Sequence, residues 1–224
     1  IRNLQVEYKK GSPILKGIDL SMESGKIHGL VGLNGAGKTT LLNTLYAFIR
    51  PSEGSICYNE RTLKRRDIAY LEAENYFYPY MTGREYLNLF PAGKNGFETD
   101  SWQQLFHLPL DDITENYSTG MRKKLALLGV LKPDKPIVVL DEPFNGLDLE
   151  SAHILTLQQL REGGKTVLVT SHVFETLTSS CDQIHHIDHG IIGHSYSREQ
   201  FGMLQKLLYS TIEDQASDQI KKLI

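Results

Sequence analysis

Residues 32–40 read GLNGAGKTT, and no other stretch restricts the folding of this chain so tightly. Gly32, four intervening residues and Gly37-Lys38-Thr39 satisfy the spacing G-x-x-x-x-G-K-[ST]. That spacing functions only between a buried strand and a helix. Ile27-His28-Gly29-Leu30-Val31 reads as the strand. A helix is predicted from Lys38, carrying Leu41, Leu42, Leu45 and Phe48 on one side and stopping before Pro51. Glycines let the backbone curl so that successive N–H groups face phosphate oxygens, and the helix start adds a positive dipole end. Lys38 supplies a point charge to the phosphates, and the Thr39 hydroxyl is a ligand for Mg²⁺. The candidate binding residues are Gly32, Leu33, Asn34, Gly35, Ala36, Gly37, Lys38, Thr39 and Thr40. The competing reading, a glycine-rich turn with an exposed lysine, explains neither the strand before it nor the helix after it.

A second feature sits about a hundred residues on. Ile137–Leu140 is a short apolar strand that runs straight into Asp141-Glu142-Pro143. Two carboxylates at the carboxyl end of a strand lie where open α/β sheets bind ligands. One can hold a metal through water, and the other can orient and deprotonate an attacking water. The pair favours hydrolysis over mere binding.

The remaining pattern divides in three. The first third is β-rich: Leu4–Tyr8 alternates, a turn follows at Lys10–Pro13, and Ile14–Leu20 continues. The middle third is helical over Arg84–Phe90, Asp100–His107 and Gly120–Leu131, with Thr82 and Glu85 as a capping box and Asp100 or Ser101 as the next cap. The last third alternates again, with a helix over Leu149–Arg161, a strand over Thr166–Thr170, a helix over Val173–Ser180 and a strand over Gln183–Ile187. Short strand–helix–strand connections imply a parallel sheet covered by helices. The tail 209–224 is polar, with Ile212, Ala216 and Ile220 at helical spacing. At 224 residues, with 40% hydrophobic residues and a net charge of −3, the chain is a single globular domain rather than a basic nucleic-acid tracker. Cys57 and Cys181 are too few for a disulfide scaffold and read as reduced thiols of a cytosolic protein. The longest apolar run, Leu125–Leu131, is too short to span a bilayer. The sequence opens at Ile1 without a basic-then-apolar leader, so no signal peptide is expected.

Asn116–Lys124 reads NYSTGMRKK and resembles the signature segment of ABC-type ATPases, usually written LSGGQ. The other motifs follow in that family's order. Residues 144–148, FNGLD, look like its D-loop, and VLVTSH at 167–172 looks like its switch strand ending in His172. Tyr8 stands where the family places an adenine-stacking aromatic, although a plain sheet tyrosine is the alternative. Standing alone, Ser118-Thr119-Gly120 reads in preference as an ordinary helix cap, and His172 as a surface or structural histidine. The resemblance spans about residues 2–195.

The resemblance implies an α/β fold: a P-loop NTPase core with a parallel sheet, an N-terminal antiparallel β subdomain and an inserted α-helical subdomain at roughly 74–134. It implies ATP as substrate and Mg²⁺ as cofactor. Glu142 is then the general base, Lys38 stabilises transition-state charge, Thr39 and Asp141 hold the metal, and His172 positions water and γ-phosphate. Ser118 and Gly120 would face the γ-phosphate held by a second subunit, in a homodimer or heterodimer. The expected function is an ATP-hydrolysing subunit that powers a membrane transporter, an exporter in preference to an importer, held at the inner face of the membrane by a transmembrane partner. No nucleic acid is expected. A soluble ABC-type ATPase of complex assembly or repair is the first alternative, and a small-molecule phosphotransferase the second.

The sequence also departs from the family. Aligning Tyr70-Leu71 and Tyr78-Pro79 puts Ala73 where the Q-loop glutamine usually stands, flanked by Glu72 and Glu74. In the signature, Tyr117, Thr119 and Met121 replace Leu, Gly and Gln, a form similar to that of bacterial export-type ATPases. His185, His186, His189 and His194 read either as metal ligands or as the two faces of a strand. Lys64–Arg66 and Arg122–Lys124 read as solvated faces in preference to nucleic-acid or lipid contacts. Tyr76, Phe77, Tyr78, Tyr80 and Met81 either pack inside the helical region or present a surface to a partner. The second reading is favoured because the family receives its transmembrane subunit there.

Overall fold

The structure is a computed structural model and describes residues 1–94, 96–143 and 151–221. The antiparallel strands β1 (Arg2–Lys9), β2 (Ser12–Ile18) and β4 (Glu53–Ser55) form one sheet in the order β2-β1-β4. Strand β3 (Ile27–Val31) and helix α1 (Lys38–Leu45) flank the phosphate loop. A small hairpin, β5 (Cys57–Tyr58) with β6 (Arg61–Thr62), precedes β7 (Ile68–Leu71). Helices α2 (Gly83–Asn88), α3 (Thr99–Phe106) and α4 (Thr119–Leu131) follow β7, and the chain then enters β8 (Ile137–Leu140). Beyond lie α5 (Ser151–Glu162), β9 (Thr166–Thr170), α6 (Phe174–Ser180), β10 (Gln183–Asp188), β11 (Ile191–Ser197) and α7 (Phe201–Lys221).

The central sheet runs β11-β10-β3-β9-β8-β7. Its members pair in parallel except β11, which lies antiparallel on β10 at one edge. Side chains alternate faces along each strand, so the parallel strands feed two apolar layers. Ile27, Val31, Val138, Leu140, Val167 and Val169 pack with α4 and the helical segment. Leu30, Val139 and Leu168 point the other way and pack with α1 and the β2-β1-β4 sheet. Covering both faces leaves β3 and β9 buried at every position, the polar His28, Thr166 and Thr170 included.

Several expectations need correction. Helix α1 ends at Leu45, and Phe48 is half exposed rather than on its apolar side. Ala47 takes a left-handed φ of 60°, which turns the chain away, and the Arg65 guanidinium lies 5.0 Å over the Phe48 ring. Helix α3 begins one residue before Asp100, with Glu98 at its boundary and no side-chain cap. Thr82 and Glu85 do form the capping box of α2: the Thr82 hydroxyl accepts from Glu85 N–H, and a Glu85 oxygen accepts from Thr82 N–H. Helix α7 begins at Phe201, upstream of the polar tail, because Phe201 and Leu204 are buried against the core. Strand β11 had no sequence signal strong enough to name it. The side chains of Ile212, Ala216 and Ile220 lie outside the described ones.

The charged and aromatic runs resolve residue by residue. Arg65 stacks over Tyr46 at 4.5 Å, and Arg122 donates to the carbonyls of Thr114 and Glu115. Phe77 packs on Tyr86 with ring centroids 4.7 Å apart, while Tyr76, Tyr78 and Tyr80 are exposed. Among the described residues no group of three or more His, Cys, Asp or Glu could hold a metal ion. His185 is instead buried in a hydrogen bond with His28.

Candidate functional site

The phosphate loop is shaped by close approaches that only glycine allows. A Cβ on Gly32 would stand 2.2 Å from the Ile187 carbonyl oxygen, so the loop leaves β3 pressed against β10. Gly37, at φ 111°, closes the loop into α1, and Leu41 N–H makes the first helical bond, to the Gly37 carbonyl. The N–H groups of the residues before Leu41 are left at the helix start without helical acceptors. The loop is further pinned where Gly190 N–H donates to the Ala36 carbonyl at 2.9 Å. Lys38 folds across the loop, donating to the carbonyls of Gly32 (2.6 Å) and Leu33 (3.2 Å). Burial lowers its pKa, and the charges of Glu142 and Asp141 oppose that shift.

The acidic pair stands at the carboxyl end of β8, both side chains buried. Thr170, at the end of the adjacent β9, links them. Its hydroxyl donates to Asp141 Oδ1 at 2.7 Å and accepts from Glu142 N–H at 2.9 Å. Glu142 takes a left-handed φ of 49°, a conformation a glutamate holds only when its surroundings fix it. Its Oε2 accepts from His172 N–H at 3.0 Å. Its Oε1 lies 3.2 Å from His172 Nε2 without the alignment of a hydrogen bond, so this buried oxygen has acceptor capacity to spare.

These groups meet in one cleft of about 340 Å³. Asn34, Gly35, Gly37, Lys38, Thr39 and Thr40 line one wall. Asp141, Glu142 and His172 line the other, with Ile14 and Ala73 at the sides. A larger cavity of about 560 Å³ opens near Leu20, Ile68 and Ile137, at the opposite ends of the strands and away from the phosphate loop. Volume therefore does not mark the site; converging polar groups do. The cleft residues fit a hard divalent cation, because the Thr39 hydroxyl and Asp141 carboxylate both face the cleft and both are oxygen donors.

Other sequence candidates lie elsewhere. Gly32, Leu33 and Ala36 do not line the cleft: the first two give carbonyls to Lys38, and Ala36 is in the core. Tyr8 is exposed beside α1, its hydroxyl 3.4 Å from Thr40 Oγ1. Ser118 caps α4, its Oγ accepting from Met121 N–H at 3.2 Å, and neither Ser118 nor Gly120 reaches the cleft. Residues 144–148, read as a D-loop, lie outside the described residues. Thr170 was not singled out from sequence. Its signal is a hydroxyl closing the apolar run Val167-Leu168-Val169 at the end of a strand.

Comparison with known proteins agrees on one family. The model of the family described as "ABC transporter" matches residues 15–145. An uncharacterized ABC transporter ATP-binding protein of Nostoc sp. is 34% identical over 187 residues, covering 76% of this chain and 56% of its own length. The linearmycin resistance ATP-binding protein of Bacillus subtilis is 32% identical over 205 residues, covering 84% of this chain and 65% of its own. The chain thus spans under two thirds of the length of either relative. A solved dimeric post-hydrolysis state of an ATP-binding cassette, bound to ADP and Pi, superposes with a TM-score of 0.75 at 21% identity, covering 88% of this chain and 97% of that one. That likeness bears on the fold, an α/β core with an antiparallel β sheet beside it.

Proposed function

Because this chain belongs to the ABC transporter family, among its ATP-binding subunits, we propose that it hydrolyses ATP to ADP and phosphate to power a membrane transporter. The observation that carries this reading is the single cleft in which Lys38, Thr39, Asp141, Glu142 and His172 converge. Glu142 takes a proton from water as the water oxygen attacks the γ-phosphorus. The bond to the bridging oxygen breaks, and its electrons leave with ADP. The backbone N–H of His172 donates to Oε2 of that carboxylate and so aims it. Lys38 exchanges its loop carbonyls for phosphate oxygens and balances the charge that develops on them. Mg²⁺, held by Thr39 and Asp141, would supply further neutralisation of phosphate charge. Tyr8, beside α1, is the candidate to stack on the adenine.

Ser118 and Gly120 lie on the surface away from this cleft, so their proposed part is in trans, at the nucleotide of a second ATPase subunit. A helix start with an exposed serine cap suits a phosphate presented from outside. No helix among the described residues is long and apolar enough to cross a membrane. A transmembrane partner is proposed to hold the protein at the inner face, with the exposed Tyr76, Tyr78 and Tyr80 among its contacts. Export is the proposed direction, and the resistance role in the name of the Bacillus subtilis relative supports it.

The test is Glu142→Gln. ATP binding is expected to persist, turnover to fall by about 10²–10⁴-fold as for loss of a general base, and an ATP-dependent dimer to accumulate on size exclusion. Wild-type turnover in this variant would overturn the assignment. Phosphate release without a phosphorylated acceptor separates hydrolysis from phosphotransfer. Co-purification of an integral membrane protein in detergent separates transport from a soluble assembly role.

A further inference from the structure

We infer that Lys123 is a positioning residue for Glu142, coupling the end of α4 that bears Ser118 to the attitude of the carboxylate in the cleft; this rests on the reading of Glu142 as general base. A left-handed glutamate must be held from several sides. The Thr170 hydroxyl accepts from its N–H and the His172 backbone N–H donates to its Oε2, and both partners come from β9 and the turn after it. The third contact has a different origin: Lys123 Nζ reaches the Glu142 carbonyl at 3.4 Å from α4. It ties the peptide of the base to the helical segment rather than to the sheet.

The path from Ser118 to Lys123 is short and stiff. Five residues of helix are a little over one turn, roughly 7.5 Å of rise. The helix behind Lys123 is anchored, because Leu125, Ala126, Leu127 and Leu128 are all buried. A shift of the Ser118 end therefore moves Lys123 with it rather than unwinding the helix. Ala73 completes the arrangement. It lines both the cleft and an adjoining cavity of about 330 Å³ that also contains Thr119 and Lys123. Its methyl group offers no hydrogen bond between the two spaces, whereas Lys123, among the described residues, gives a polar link from α4 to the base. The 3.4 Å contact is long, as catalytic contacts often are before ligand draws them in. Burial lowers the Lys123 pKa, and the charge of Glu142 opposes that shift.

The test compares Lys123→Met, Lys123→Gln and Lys123→Arg in the full chain with its membrane partner, measuring kcat, KM for ATP, ATP affinity and thermal stability. The Met and Gln variants are expected to lose at least about tenfold in kcat with KM and ATP affinity unchanged, as misplacement of a reacting group does. Arg, which can still donate to the carbonyl, is expected to restore kcat to within about twofold. Full kcat in Lys123→Met overturns the inference. So does a parallel loss of affinity, which would assign Lys123 to nucleotide binding, or a failure of Arg to rescue a stable protein. Where the Met variant does not fold, Gln and Arg decide. An inactive Glu142→Gln beside a fully active Lys123→Met sinks this inference alone, whereas a fully active Glu142→Gln sinks the reading beneath it.

Discussion

His28 Nδ1 and His185 Nε2 lie 3.1 Å apart in the core, joining β3 to β10 beneath the phosphate loop. Both side chains are fully buried. The partners at either end set the direction of the hydrogens. His28 Nε2 is 2.9 Å from the Glu23 carbonyl, which can only accept, so that nitrogen carries a proton. In the neutral ring Nδ1 is then an acceptor, His185 Nε2–H donates to it, and the Ser195 hydroxyl donates to His185 Nδ1 at 2.7 Å. In this arrangement both rings are neutral and every ring nitrogen has a partner.

Stability is therefore expected to fall with acid. Burial, then the neighbouring His28, lowers the His185 pKa to about 3, and burial lowers that of His28. Lys26 adds to the lowering at His28, while Asp182 and Glu23 oppose it. The unfolded chain binds protons near pH 6.5 and the fold does not, so this contribution is present above pH 6.5 and is lost as pH falls toward 3. Between pH 7 and 4.5, His185 alone accounts for about 2–3 kcal/mol. Denaturant midpoints at several pH values check this. His185→Phe should be less stable at pH 7.5 but flatter with pH, and an unaltered slope in that variant would show that the pair does not titrate as argued.

Thr170→Val is expected to damage the cleft without changing its shape. The valine leaves Glu142 N–H unpaired and removes a donor from Asp141 Oδ1. Leaving a buried donor unpaired costs about 1–3 kcal/mol. The left-handed Glu142 should relax and turnover fall, while Thr170→Ser keeps both bonds and activity. Urea unfolding and phosphate-release assays on the two variants read the outcome, and equal activity in Val and Ser would count against the link.

Gly32→Ala is expected to destabilise the protein through backbone collision alone. The added Cβ would sit 2.2 Å from the Ile187 carbonyl oxygen and 2.9 Å from Ile187 Cγ2. Overpacking of this kind costs about 1–3 kcal/mol, or roughly 2–12 °C in melting temperature for a chain of this size. Gly202→Ala, where the new methyl meets open space on α7, serves as the control and should leave the melting temperature unchanged or raised. Matching melting curves for the two variants would exclude the close approach.

Local patterns made much of this protein legible in advance. Strands β3, β8 and β9 match their expected bounds because buried parallel strands are short, mostly apolar segments. The phosphate loop was legible because its glycines and lysine act within nine consecutive residues. Phe48 and the cap of α3 were misread because helix ends depend on one or two φ values that hydrophobic spacing does not encode. Edge strand β11 escaped notice because much of it is exposed and it lacks a continuous apolar run.

From its order of residues alone, this chain declares which segments become strand, loop and helix around the phosphate loop, since those choices rest on neighbours a few positions away. Which side chains share the cleft was decided by tertiary structure. Thr170 reaches Asp141 across 29 residues, and His28 reaches His185 across 157, only because parallel pairing sets β9 beside β8 and β10 beside β3. Pairing of that kind is driven by burial over the whole sheet, and no local spacing in the chain records it.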